Sequence, residues 1–112
     1  MPSASKIKGN KFERDCVNKA KEYGIEAKRA WGSDGRSMGF EEDVDMLIDE
    51  TIKAQCKIRK KLAKWVLPPD SCDITIVRED RGKAYITMGY EEYLRLIMVI
   101  KNAREIVDAE GQ

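Results

Sequence analysis

Apolar residues recur at Phe12, Cys16, Ala20 and Tyr23, spacings of four, four and three that mark one face of a helix over residues 10–23. Asn10 suits the N-cap of that helix and Gly24 its C-terminal stop. Ile25 to Trp31 reads as a first strand, leading into the loop 32–39, where three glycines and short polar residues favour irregular backbone. Asp43–Ile48 and Ile52–Ile58 both have strand character, and Asp49-Glu50-Thr51 suits the hairpin connection between them. A three-residue turn sets Asp45 opposite Gln55 and Asp43 opposite Lys57 on one face, with Val44, Met46, Ala54 and Cys56 on the other. A two-residue turn breaks that register.

A short helix is expected around Lys60–Val66, then a break at Pro68-Pro69. Cys72–Arg78 and Ala84–Met88 read as two further strands joined by the turn 79–83. A last helix, about Glu91 to Asp108, carries Leu94, Ile97, Met98, Ile100 and Val107. Its run Leu96-Ile97-Met98-Val99-Ile100 is apolar on more than one side, which predicts a second buried face, against another subunit. The alternation of helices and strands predicts an α/β fold with a mixed sheet, in one domain over residues 1–112.

Composition narrows the chemistry. The 112 residues, 42% hydrophobic, suffice for a modest core, and no segment has the uninterrupted apolar length of a membrane helix. The first fifteen residues lack the apolar stretch of a signal peptide, so a cytoplasmic protein without membrane contact is expected. There is no histidine, which removes the usual zinc ligands and every nucleophilic mechanism that needs an imidazole base. Cys16, Cys56 and Cys72 are not spaced as CxxC. Any metal is therefore expected to be a hard cation on oxygen ligands. The net charge of +1 hides a strong pattern: six of the ten residues from Glu41 to Glu50 are acidic, and five of the eight from Lys57 to Lys64 are basic.

Carboxylates holding Mg²⁺ hydrolyse phosphodiesters without histidine, and a lysine beside the attacking water helps to orient it or to stabilise developing charge. Asp43 and Asp45 on one strand, followed by Gln55-Cys56-Lys57 on the next, offer such a set. With Lys8-Gly9-Asn10-Lys11-Phe12-Glu13-Arg14 and Lys28-Arg29-Ala30-Trp31-Gly32-Ser33 before them, the chain resembles the archaeal and phage Holliday-junction resolvases of the PD-(D/E)xK nuclease superfamily over roughly residues 8 to 90. The resemblance implies a restriction-endonuclease-like core, a mixed central sheet flanked by helices with a C-terminal helix following. It also implies a homodimer whose two sites nick a four-way DNA junction in pairs. Carried over residue by residue, it makes Glu13 and one of the two aspartates, Asp43 or Asp45, ligands for Mg²⁺, with Mn²⁺ able to substitute. Gln55 contributes its side-chain carbonyl, Lys57 supports the nucleophilic water, and Ser33 sits near the scissile phosphate. The chain departs from the pattern twice: no proline precedes the aspartates, which leaves both eligible, and Gln55 replaces a carboxylate, removing one negative charge from the metal site.

Each residue also has an ordinary structural reading. Glu13, three residues after Asn10, suits a capping box; Asp43 and Asp45 suit strand-edge charges; Gln55, Lys57 and Ser33 suit plain surface or turn positions. Arg59, Lys60, Lys61 and Lys64 follow the candidate catalytic strand and are expected to grip DNA phosphates without reading sequence, with Lys8, Lys11, Arg14, Arg29 and Arg36 extending the surface. Trp31 and Trp65 are candidates for stacking on bases, although core packing is the usual fate of tryptophan. The alternatives to a junction resolvase are a nicking or restriction-like nuclease on other DNA structures and a catalytically silent DNA-binding relative.

Overall fold

The structure, a computed structural model, describes residues 3–30 and 35–111. The chain divides into two compact units, Met1–Ile58 and Arg59–Gln112.

The first unit opens with helix α1, Ala4–Glu22, capped by Ser3, whose hydroxyl accepts from the Lys6 amide at 3.1 Å. The helix therefore begins before the predicted Asn10. Ser3 supplies the side-chain acceptor that a free helix end needs, and Asn10 falls inside the helix. The stop is where the sequence predicts it. Gly24 adopts φ +78°, its amide donates to the Lys21 carbonyl at 2.9 Å, and the Ile25 amide donates to the Ala20 carbonyl at 3.0 Å. That pair of bonds is a Schellman closure, and Ala20 and Ile25, the residues it brings together, are both fully buried. The buried stripe of α1 is Glu13, Val17 and Ala20, rotated from the predicted one; Phe12, Cys16 and Tyr23 are half-buried.

Helix α1 packs on a three-stranded antiparallel sheet of order β1-β2-β3, formed by β1 (Ala27–Arg29), β2 (Met46–Ile48) and β3 (Ile52–Ala54). Met46, Leu47 and Ile48 on the central strand are all buried. The register, Met46 opposite Ala54 and Ile48 opposite Ile52, is that of the predicted three-residue turn. Asp49 (φ 53°) and Glu50 (φ 67°) make the reversal in the left-handed region, and the Asp49 amide is tied to the Glu26 carbonyl at 2.7 Å. The loop before β2 contains a 3-10 turn, Gly35–Met38, and Lys53 of β3 sits over the Phe40 ring at 5.0 Å. A side chain at Gly35 is impossible without rearrangement, because its Cβ would lie 2.1 Å from the Glu41 carbonyl oxygen.

In the second unit, the basic segment forms only a 3-10 turn, Lys64–Val66, in place of the expected short helix, as Pro68 and Pro69 close behind it prevent continuation. Strands β4 (Ile74–Val77) and β5 (Tyr85–Met88) make a two-stranded antiparallel hairpin. Helix α2, Tyr90–Glu110, begins at Gly89 and buries Leu94 and Ile97. The α/β class is as expected. Among the described residues, however, every strand pairing is antiparallel, in two sheets of three and two strands, where a single mixed sheet was expected. Hairpin connections join antiparallel neighbours, whereas a parallel pair needs a long crossover. No helix among the described residues is long and apolar enough to cross a membrane.

Candidate active site

The first unit gathers acidic groups at the end of the β2–β3 hairpin where α1 crosses it. Glu13, on the buried stripe of α1, is 6% exposed. Its Oε1 accepts from Nε of Arg29 at 3.1 Å, and the same guanidinium donates from Nη2 to Oδ1 of Asn10 at 3.3 Å. Glu13 is thus no capping-box residue. It is a buried carboxylate held by a half-buried arginine from the end of β1.

Asp45 is the second buried carboxylate, at 9% exposure. Its backbone continues the sheet beyond the strand end: the Asp45 amide donates to the Ala54 carbonyl and the Ala30 amide to the Asp45 carbonyl, both at 2.9 Å. Its side chain takes the next rung, with Oδ2 accepting from the Cys56 amide at 2.7 Å. Burial raises the Asp45 carboxyl above its ordinary value, and the Glu13 and Asp43 carboxylates add to the rise. The Cys56 amide and the Lys57 ammonium oppose it. Asp45, Glu13, Asp43 and Lys57 therefore share one electrostatic neighbourhood. Asp43, Gln55 and Lys57 are exposed, so of the two aspartates only Asp45 lies inside. The strands end at Met46 and Ala54, so strict alternation of faces does not extend to positions 55–57.

Sequence reasoning missed one pair: the thiol of Cys16 on α1 lies against that of Cys56. This contact, with burial and the nearby Asp45 and Glu13 carboxylates, pushes the Cys56 thiol well up. Helical spacing carried a signal for it, since Cys16 lies one turn beyond Glu13 on α1 while Cys56 follows Gln55.

A carboxylate whose proton affinity is raised chiefly by burial, with a second buried carboxylate adding to the rise, suits a hard divalent cation, and the donors are oxygens as Mg²⁺ requires. Among the described residues no three acidic or thiol groups are gathered as a ready-made cage. The amide oxygen of Gln55 or the carboxylate of Asp43 is needed to complete a ligand set. The expected basic surface is uneven. Lys8, Arg14 and Arg36 are exposed; Lys11 is exposed but paired with Asp15 at 2.9 Å; Arg29 is engaged by Glu13 and Asn10. Arg59, Lys60, Lys61 and Lys64 are exposed on the second unit. Ser33 and Trp31 lie outside the described residues, and Trp65, a candidate for core packing, is instead 70% exposed. No family model, curated protein or solved structure matches this chain.

Proposed function

We propose that the chain is a Mg²⁺-dependent DNA endonuclease with a restriction-endonuclease-like core that resolves four-way junctions by paired nicks as a homodimer. The observation that carries this reading is the burial of Glu13 and Asp45 in one electrostatic neighbourhood with Lys57 at the end of a hairpin. The Arg29 guanidinium offsets the charge of Glu13, and a divalent cation would offset that of the buried Asp45. Glu13 and Asp45 would hold the metal, with Gln55 contributing a neutral oxygen and Asp43 a carboxylate from the solvent edge. When bound, Mg²⁺, or Mn²⁺ in its place, supplies charge neutralisation and an acidified water. Lys57 is exposed, so its ammonium can meet the phosphate that enters from solvent and stabilise charge on its oxygens. Arg29 positions Glu13. The exposed bases of residues 59–64 contact backbone phosphates, which suits selection by shape rather than by sequence.

The direct test is to compare a mobile four-way junction, a flap and a linear duplex at equal concentration with Mg²⁺. Paired nicks in the junction, absent with Lys57→Ala, are expected; an intact junction with wild-type protein overturns the reading. Cutting of flap or duplex alone would instead assign a nicking or restriction-like activity.

One observation favours a silent DNA-binding protein. Arg29 already neutralises Glu13, and Gln55 leaves the site a charge short. Junction binding without any Mg²⁺- or Mn²⁺-dependent product, together with gain of cleavage in Gln55→Glu, is the outcome that reading requires.

A further inference from the structure

The second unit contains a cleft of about 320 Å³ that the nuclease chemistry does not use, lined by Trp65, Tyr85, Val77, Arg78 and Lys83, with Glu79 at the β4–β5 turn. Its walls are fixed by the hairpin. Val77 stands opposite Tyr85 and Thr75 opposite Thr87, so these four share one sheet face. The Thr87 hydroxyl donates to the Val66 carbonyl, which fastens the Lys64–Val66 turn to β5 and holds Trp65 beside that face. Yet Trp65 is 70% exposed and Tyr85 63% exposed. Two large aromatic side chains left more than half exposed on a fastened turn and strand form a platform, not a core.

The charges around the rings say what the platform suits. Lys83 lies 5.9 Å from the centre of the Tyr85 ring, Arg78 lines the same cleft, and Lys64 precedes Trp65 in the turn. Cations beside exposed aromatic side chains complement a ligand that is flat, π-rich and anionic at its edges. A nucleotide has that combination, and an apolar peptide side chain does not. The volume exceeds that of one nucleobase, and a base inside a duplex has no free face to offer.

We propose that this cleft binds an unpaired nucleobase of a DNA strand, stacked on Trp65 and Tyr85, with Arg78 and Lys83 holding the adjacent phosphates. The choice of DNA rests on the nuclease reading of the first unit; the stacking site does not depend on catalysis.

The test is run in EDTA, so that no cleavage occurs whether or not the nuclease reading holds. In a Trp31→Phe chain Trp65 is the sole tryptophan, and titration with an oligothymidylate is expected to quench its emission saturably, less so as salt rises. Anisotropy of a labelled oligothymidylate provides a second readout in the otherwise wild-type chain. There Trp65→Leu and Tyr85→Ala each weaken binding about tenfold, and Arg78→Ala and Lys83→Ala flatten the salt dependence. Absence of quenching, equal quenching by a blunt duplex of the same length, or Trp65→Leu affinity within about twofold of wild type overturns the proposal.

Discussion

The two units treat their side chains in opposite ways. In residues 3–58 burial reaches even the charged groups: Glu13 and Asp45 are buried along with Val17, Ala20, Ile25, Ala30, Met46, Leu47 and Ile48. In residues 59–111 only Leu94 and Ile97 are buried apolar residues, while Trp65, Ile76, Tyr85 and Ile86 are more than half exposed. Burial of charge amplifies electrostatics, because a low-dielectric surrounding strengthens every interaction among the groups inside it. Exposure of rings does the reverse: it leaves contact area free for a partner. The first unit is therefore where reaction chemistry can be built, and the second is where affinity can be.

Substitutions that separate the units test this contrast. The largest effect is expected from Lys57→Ala, which removes an exposed ammonium and lowers junction cleavage by about 10²–10³-fold, with unfolding free energy within about 0.5 kcal/mol of wild type. Single-turnover cleavage alongside denaturant melts checks both halves. Arg29→Ala removes a charged hydrogen-bond partner of Glu13 and is expected to lower stability by about 1.5–3 kcal/mol in urea titrations. Mg²⁺ is expected to restore part of that loss, since it can replace the missing counter-charge. Trp65→Leu in the second unit is expected to leave the unfolding midpoint unchanged while weakening oligonucleotide binding. A large drop in stability would show that Trp65 is packing after all and erase the contrast.

The smallest effect is a pH dependence. Because the Asp45 carboxyl is raised in the fold above its ordinary value of 3.8, its contribution to stability is fully present below that value and is lost as pH rises through the raised one. Asp45→Asn keeps an oxygen acceptor for the Cys56 amide and removes the charge. The variant is expected to be more stable than wild type at neutral pH, with the difference closing below pH 3.8. Melts across that range that run parallel for the two proteins would contradict the burial of a charged Asp45.

Much of this was legible in sequence because local rules dominate there. The turn Asp49-Glu50-Thr51 set the β2–β3 register, and Gly24 set the end of α1. The start of α1 was misread because Ser3 and Asn10 are both competent caps, and choosing between them takes the partner of Asn10, which is Arg29 from β1. Arg29 itself looked like one more surface base; its role depends on Glu13, sixteen residues away across the helix–strand contact. The two sheets were expected as one, because strand character at 74–77 and 85–88 does not state which strand is the neighbour. Trp65 has the hydrophobicity of a core residue, yet a short turn tied by its backbone to Thr87 holds its large ring in solvent.

Whether Glu13 and Asp45 form a divalent-cation site is decided by titrating the DNA-free protein with Mn²⁺ and following the loss of the free-ion signal by electron paramagnetic resonance. Saturable binding is expected, competed by Mg²⁺ and abolished in both Glu13→Gln and Asp45→Asn with the fold intact by circular dichroism. Binding that persists in both variants, or none in the wild-type protein, contradicts such a site.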